Sequence, residues 1–385
     1  MAKKKITIPG NIKEHLEKVL HGEPSPPPDD MDWDTFGKYL GQEKVFNAYY
    51  LAMEKAGLLD LIPKDLADNL KVGIDAYRII NRRHLSEAVR VSELLKENGF
   101  DIIFLKGIPN LVEIFHDISE HPMEDVDALV HEDEMKEIRS LLADELGYFP
   151  LSVLPGFELF HRRDEREGKV KLLRNPEPGY PPPILHLHTI IGGALFHYKG
   201  EKFFKNPRTI TLEGKKIKVL QHRDHFIHMC IHWAGHLGGR SDFEFRRLGL
   251  VRFLEKFGPI LNWEEIVEEF RYRRLLPCLV EVLRVTGFSS AAFLDEPVKK
   301  KIRLSAQQKF IIKILQNHRL WLARYLSGFH NCLWPDRRRL TAFYGELPGT
   351  PALLKAWFKS IVSIIQRLWI LLLVRFRPLP EQKRE

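Results

Sequence analysis

The sequence predicts an α+β fold: a small mixed β-sheet flanked by helical regions on its N-terminal and C-terminal sides. Three observations lead there. Apolar residues recur at helical spacing from Trp33 to Asn98 and again beyond His222, the period that gives a helix one buried face. Between those regions the apolar runs shrink to strand length, as in Ile102 to Leu105 and Ile184 to Thr189. Thr209 to Leu220 then reads TITLEGKKIKVL, two alternating arms around Glu213-Gly214, which is a hairpin turn signal.

At 385 residues, with 44% hydrophobic and 29% charged residues, the chain has enough apolar material for two or three domains. The expected division is an N-terminal tail and helical cap over 1–99, an α/β core over 100–220, a C-terminal helical subdomain over 221–350, and a basic amphipathic helix and tail over 351–385. The formal charge of +8 and the sequence pI of about 9.2 suit an anionic partner. They do not choose among nucleotide, nucleic acid and membrane surface. Cys230, Cys278 and Cys332 are odd in number and far apart, which argues against a disulfide framework or a cysteine zinc site and for a reducing, cytoplasmic home. The start, MAKKKITIPGNI, lacks the apolar stretch of an export signal.

Residues 1 to about 30 end in the proline-rich break GEPSPPPDD. The helical region that follows closes at Asn98-Gly99, a helix stop. Within it Tyr49, Tyr50 and Met53 read as packing residues rather than a ligand box. Ile102 to Leu105 gives a short buried strand that turns at Lys106-Gly107, and an amphipathic run follows from Ile108 to Phe115. Glu124 to Val130 is a second strand, carrying Asp125 and Asp127. Side chains two apart on a strand project from one face, roughly 7 Å apart, so the two carboxylates aim together. Such a pair is a hard-oxygen site for Mg²⁺ or Mn²⁺, which takes further ligands from substrate phosphates.

Downstream, Val153 to His161 and Val170 to Leu173 read as strands, and Asn175 to Pro183 as a proline-rich loop. In Ile184 to Thr189, His186 and His188 share one face. They either meet the acids across a strand pair or form hydrogen bonds on a partly buried face. From His222 the chain turns helical, and His225, His228, His232 and His236 fall within about 80° on the helix wheel. Paired histidines one turn apart can hold zinc or iron, which makes a metallohydrolase one reading. The other is a helix packed on the sheet, because no HExxH glutamate accompanies the stripe. Helices follow to about residue 330, then a basic PDRRR cluster read as solvated surface. Pro351 to Arg377 is a basic amphipathic helix with Trp357 and Trp369, too short in its apolar run to span a bilayer. It either docks on protein or makes a peripheral membrane contact.

The order FLKG, helix, HPMEDVDALV, then the helical segment Glu132 to Leu146 closing in LGYF, resembles the uncharacterised nucleotidyltransferase family, within the DNA polymerase beta-like nucleotidyltransferase superfamily. The resemblance covers about Leu95 to Leu254, with ILHLHT and RDHFIHMCIHWAGH as later landmarks. It implies a nucleotidyltransferase core that uses Mg²⁺ or Mn²⁺ and an NTP. Asp125 and Asp127 are then metal ligands and catalytic, Lys106 and Gly107 sit at the phosphate-binding turn, and His186 and His188 complete the metal and nucleotide sites. The acceptor, whether small molecule, protein or RNA, is left open. Two positions depart from the family: His121 replaces an arginine, and His186 replaces an acid. The second allows a softer metal preference, a substitute ligand such as Glu158, or a domain that binds nucleotide without turnover.

Overall fold

The computed structural model describes residues 6–154, 157–162, 183–191, 198–236, 243–272 and 275–302, with side chains throughout except 149–154, 157–162, 198–199 and 234–236. Residues 1–312 form one compact unit and 313–385 a second. The PDRRR cluster, the amphipathic stretch 351–377, the strand Val170 to Leu173 and nearly all of the proline-rich loop lie outside the described residues.

Helices α1 (Gly10–Leu20), α2 (Trp33–Gln42), α3 (Phe46–Lys55) and α4 (Lys64–Glu97) lead the chain. The Asp32 carboxylate caps α2 by accepting from the Thr35 amide at 3.1 Å, which satisfies one of the first-turn donors that a helix leaves unpaired. The core then runs β1 (Ile103–Phe104), α5 (Gly107–Glu113), β2 (Val126–Leu129), α6 (Met135–Leu146), β3 (Tyr148–Leu154), β4 (Phe157–Arg162) and β5 (Leu185–His188). A small pair follows, β6 (Ile190–Ile191) and β7 (Tyr198–Lys199), then the single turn α7 (Glu201–Phe204) and the hairpin β8 (Arg208–Leu212) with β9 (Lys215–Val219). The remaining helices are α8 (His222–His236), α9 (Phe243–Phe257), α10 (Trp263–Tyr272), α11 (Leu276–Val285) and α12 (Glu296–Lys301). The 34 residues of α4 do not make it a membrane span. Among the described residues no helix is long and apolar enough to cross a membrane.

The main sheet orders its strands β3-β4-β5-β2-β1-β9-β8. It is mixed: β2 runs parallel to β5 and β1 parallel to β9, while the other neighbours are antiparallel. The α+β class holds, with one local correction. The run Val153 to His161, expected as a single strand, is split between β3 and β4, which pair antiparallel. The sequence of that run contains a Pro-Gly pair, a turn signal that its apolar residues overshadow. The hairpin at Glu213-Gly214 is as expected, and both residues have positive φ, 48° and 78°, the requirement of a tight two-residue turn.

Alternation along the central strands sorts side chains between two faces. Val126 and Ala128 of β2 and Leu185 and Leu187 of β5 lie in the main core, with Leu95 of α4, Ile108 of α5 and Ile138 and Leu142 of α6. Asp127, His186 and His188 sit on the alternate positions, so they project from the other side of the sheet. The parallel register sets Asp127 opposite His186 and Leu129 opposite His188. This brings the predicted acid and both predicted histidines together.

The segment between α5 and β2 is held from outside the sheet. Asn81 of α4, fully buried, donates to the carbonyls of Ile118 and of His121, the latter at 2.8 Å, and accepts from the Met123 amide at 3.3 Å. Asn47 of α3 donates to the Ser119 carbonyl, and Arg252 of α9 pairs with Glu120. On the same side, the Glu43 carboxylate accepts from the Glu244 amide at the start of α9 at 3.1 Å. The leading helices are therefore tied both to the loop that delivers Asp125 and to α9.

Candidate active site

Asp127 is the hub. Its carboxylate is 4% exposed and a single oxygen, Oδ1, meets three groups: Lys106 Nζ at 2.7 Å, His188 Nε2 at 2.7 Å and His186 Nδ1 at 3.3 Å. Burial pushes that carboxyl upward, but the Lys106 ammonium and the two imidazoles outweigh it and hold Asp127 well below the usual carboxylate range. Burial lowers His188 to about 4, with Asp127 opposing; it is neutral near pH 7. Burial also pulls His186 down, yet the carboxylates of Asp125 and Asp127 prevail and raise it. The two rings lie 4.2 Å apart.

Asp125 stands just before β2 rather than within it. Its side chain is 38% exposed, and its nearest described approach to this cluster is 3.7 Å to His186 Nδ1. The aspartates thus share the site unequally. Asp127, His186 and His188 hold their ligand atoms within 4.8 Å of one another, as three metal donors would, whereas Asp125 borders that group. Glu158 pairs in register with Leu187 rather than with either histidine.

Lys106 and Gly107 divide the work of the turn in a way the sequence did not show. The positive φ falls on the lysine, at 47°, a conformation that L side chains rarely adopt and that clusters at functional sites. Gly107 begins α5 and is glycine for lack of room: a Cβ there would sit 2.5 Å from Met123 Sδ.

A cavity of about 350 Å³ opens beside this cluster. Lys106, Asp125, Asp127 and His186 line it from the sheet, and Lys44, His232 and Arg246 from the helices. Arg246 Nη1 lies 2.9 Å from His232 Nδ1, and Lys44 Nζ lies 2.6 Å from Glu124. Lys44, Arg246 and the brace Asn81 escaped the sequence reading. Lys44 stands ahead of α3, Arg246 on α9 and Asn81 on α4, in segments whose local pattern reports only helix packing.

The histidine stripe of α8 separates. His225 and His228 are 1% and 4% exposed, in the helix packing, and His232 turns to Arg246. Among the described residues none of these three belongs to a group of metal-donor spacing; the His236 side chain lies outside those residues. The metallohydrolase expectation therefore gains no geometry, because packing α8 on α9 spends its apolar-side histidines against rings such as Phe253, 5.4 Å from His225.

Burial pushes His121 and His225 down to about 3 and His228 well below the usual histidine value, so the folded chain keeps all three neutral. Unfolded histidines take a proton near pH 6.5. Below that pH the unfolded state binds protons the folded state does not, and stability falls as the pH drops, until the folded groups titrate near 3. Each such group contributes a slope of up to about 1.4 kcal/mol per pH unit. The thermal midpoint is expected to fall steadily from pH 7 to pH 5, and His225→Phe to flatten the fall. A midpoint independent of pH across that range contradicts the neutral assignment.

The mixed sheet thus carries an acid and two histidines on adjacent parallel strands, beside a lysine turn and a cation-lined cavity. The family model described as "Uncharacterised nucleotidyltransferase" matches residues 29–287, two thirds of the sequence, and the chain belongs to that family. Among solved structures, an antigenic nucleotidyltransferase-like protein from Paracoccidioides brasiliensis is similar at 13% identity, over 55% of this chain and 93% of that one, with a TM-score of 0.31. No curated protein matches the sequence.

Proposed function

We propose that the chain is a metal-dependent nucleotidyltransferase that moves a nucleoside monophosphate from an NTP to an acceptor hydroxyl or phosphate on a small molecule, protein or RNA. The observation that carries this reading is the convergence of Lys106, His186 and His188 on the buried Asp127 carboxylate at the wall of a cavity also lined by Lys44 and Arg246.

One ionised carboxylate with a neutral imidazole at 2.7 Å and a second imidazole at 3.3 Å, which must give up any proton it carries in order to ligate, is a donor set that fits a divalent cation, with Asp125 available beside it. Two nitrogens among the donors weigh against Mg²⁺, which takes oxygen ligands, and favour Mn²⁺ or a softer ion. When bound, such a cation neutralises charge on the phosphates undergoing substitution. The chain's own residues supply the rest. Lys106, fixed by its turn, and the Gly107 amide contact the triphosphate; Lys44 and Arg246 offset its remaining charge. The acceptor oxygen bonds to the α-phosphorus as the bond to the pyrophosphate oxygen breaks, pyrophosphate leaves, and a hydroxyl acceptor gives its proton to solvent. Positioning and electrostatic complementarity, not covalent catalysis, lower the barrier.

The test is to incubate the protein with each α-labelled NTP, Mn²⁺ or Mg²⁺ and a cell extract, and to search the products by mass spectrometry for an added nucleoside monophosphate. Appearance of such an adduct with release of pyrophosphate is the expected result. Nucleotide binding with no adduct from any NTP supports the second reading, a domain that binds without turnover, which His186 at the position of the family's acid favours.

A further inference from the structure

We propose that the cavity beside Asp127 contains a nucleobase subsite, in which Asn110, His121 and Trp233 hydrogen-bond the base and Gly249 leaves the room its ring occupies. This inference rests on reading the chain as an NTP-dependent nucleotidyltransferase and assigns the half of the nucleotide that its cations do not hold.

Three side chains that line the cavity each bury a polar atom with no hydrogen-bond partner among the described residues: Asn110 Oδ1, His121 Nδ1 and Trp233 Nε1. The residues are 6%, 9% and 2% exposed. Buried polar groups are ordinarily satisfied, and a native exception calls for an explanation. Three of the exceptions among the described residues gather on one cavity, from α5, from the loop before β2 and from α8. Their chemistry narrows the ligand. The indole N–H only donates, the carboxamide oxygen accepts, and a neutral imidazole offers one of each. A ligand edge that answers all of them carries both acceptors and donors. A nucleobase edge has both, while an ionised phosphate only accepts. The triphosphate alone therefore leaves the carboxamide oxygen unanswered.

Gly249 supplies the space. It lies inside α9, where glycine weakens a helix relative to alanine, so a reason for keeping it is needed. Packing within the protein is not that reason. A Cβ at Gly249 would meet Met229 Cε at 3.7 Å and Phe115 Cζ at 4.0 Å, ordinary contact distances. What the missing side chain leaves open is the cavity, which Gly249 lines together with Phe115, Met229 and Leu250. Those apolar groups suit a flat heterocycle. His121 joins the two parts of the surface, its ring standing edge-on to Phe115 at 5.1 Å and to Phe245 at 4.7 Å. The volume of about 350 Å³ falls within the roughly 300–1,000 Å³ usual for small-molecule sites.

The experiment measures, by calorimetry on the full chain, the affinity of each NTP and of inorganic tripolyphosphate. The wild type is expected to bind its preferred NTP at least about tenfold more tightly than tripolyphosphate. Gly249→Leu, which fills the ring space, and Asn110→Leu, which removes the acceptor at similar volume, are each expected to weaken that NTP about tenfold. Tripolyphosphate affinity is expected to stay within about twofold. Circular dichroism checks that each variant folds, and either variant alone decides the question. Equal affinity of the wild type for NTP and tripolyphosphate, or unchanged NTP affinity in a folded variant, overturns the subsite and leaves the transferase reading standing. Failure of the wild type to bind either ligand overturns both.

Discussion

Asp127→Asn is expected to lower nucleotide transfer on the order of 10³-fold, the largest effect of any single substitution in the site. The reason is the concentration of contacts on one atom. Lys106, His186 and His188 all address Asp127 Oδ1, so the charge of this carboxylate organises the whole cluster. Asparagine keeps the shape and leaves an oxygen for Lys106, but removes the charge that a cation and the lysine require. Loss of the charge partner of a mostly buried ammonium also costs stability, on the order of a few kcal/mol. Asp125→Asn is expected to reduce transfer with no measurable change in stability, because its side chain is 38% exposed and reaches the cluster only at 3.7 Å. Label transfer from α-labelled NTP, read beside thermal unfolding, separates the two. An Asp127→Asn protein that transfers at the wild-type rate removes the proposed chemistry.

The second large effect concerns the metal. His186→Asp exchanges a nitrogen for an oxygen on the strand next to Asp127, at a position in register with it. Wild-type protein, with two imidazoles in the donor group, is expected to bind Mn²⁺ more tightly than Mg²⁺. The aspartate variant is expected to move this preference toward Mg²⁺ by about tenfold, some 1.4 kcal/mol. Competition of Mg²⁺ against Mn²⁺, followed by the Mn²⁺ electron paramagnetic resonance signal, reads the change without any assay of turnover. An unaltered Mn²⁺ to Mg²⁺ ratio excludes His186 as a donor.

Much of this site was legible because it lies on strands. Two-residue alternation fixes which side chains share a face; His186-x-His188 on β5 follows that rule, whereas Asp125, just ahead of β2, only borders the group around Asp127. Pairing of the two strands was left open by the sequence, since parallel partners are joined through a long intervening segment and no local pattern states which will meet. The backbone at Lys106 was not legible for a related reason. A Lys-Gly turn suggests that glycine takes the unusual φ, yet the lysine takes it, while the glycine is kept by the crowding of Met123 from a distant loop. Lys44, Asn81 and Arg246 were invisible on similar grounds. Each belongs to a helical region whose periodicity reports burial, and periodicity does not tell which polar residue faces a cavity or braces a loop.

Asn81 carries a last consequence. One amide on the long fourth helix grips the carbonyls of Ile118 and His121 and the Met123 amide, so the approach to Asp125 is braced by residues encoded well ahead of the sheet. Trimming the gene to begin at the first strand would keep Asp125, Asp127, His186 and His188 yet discard the clamp that braces the approach to them. The stretch ahead of the first strand, about a quarter of the polypeptide, is thus part of the frame of the site rather than an accessory.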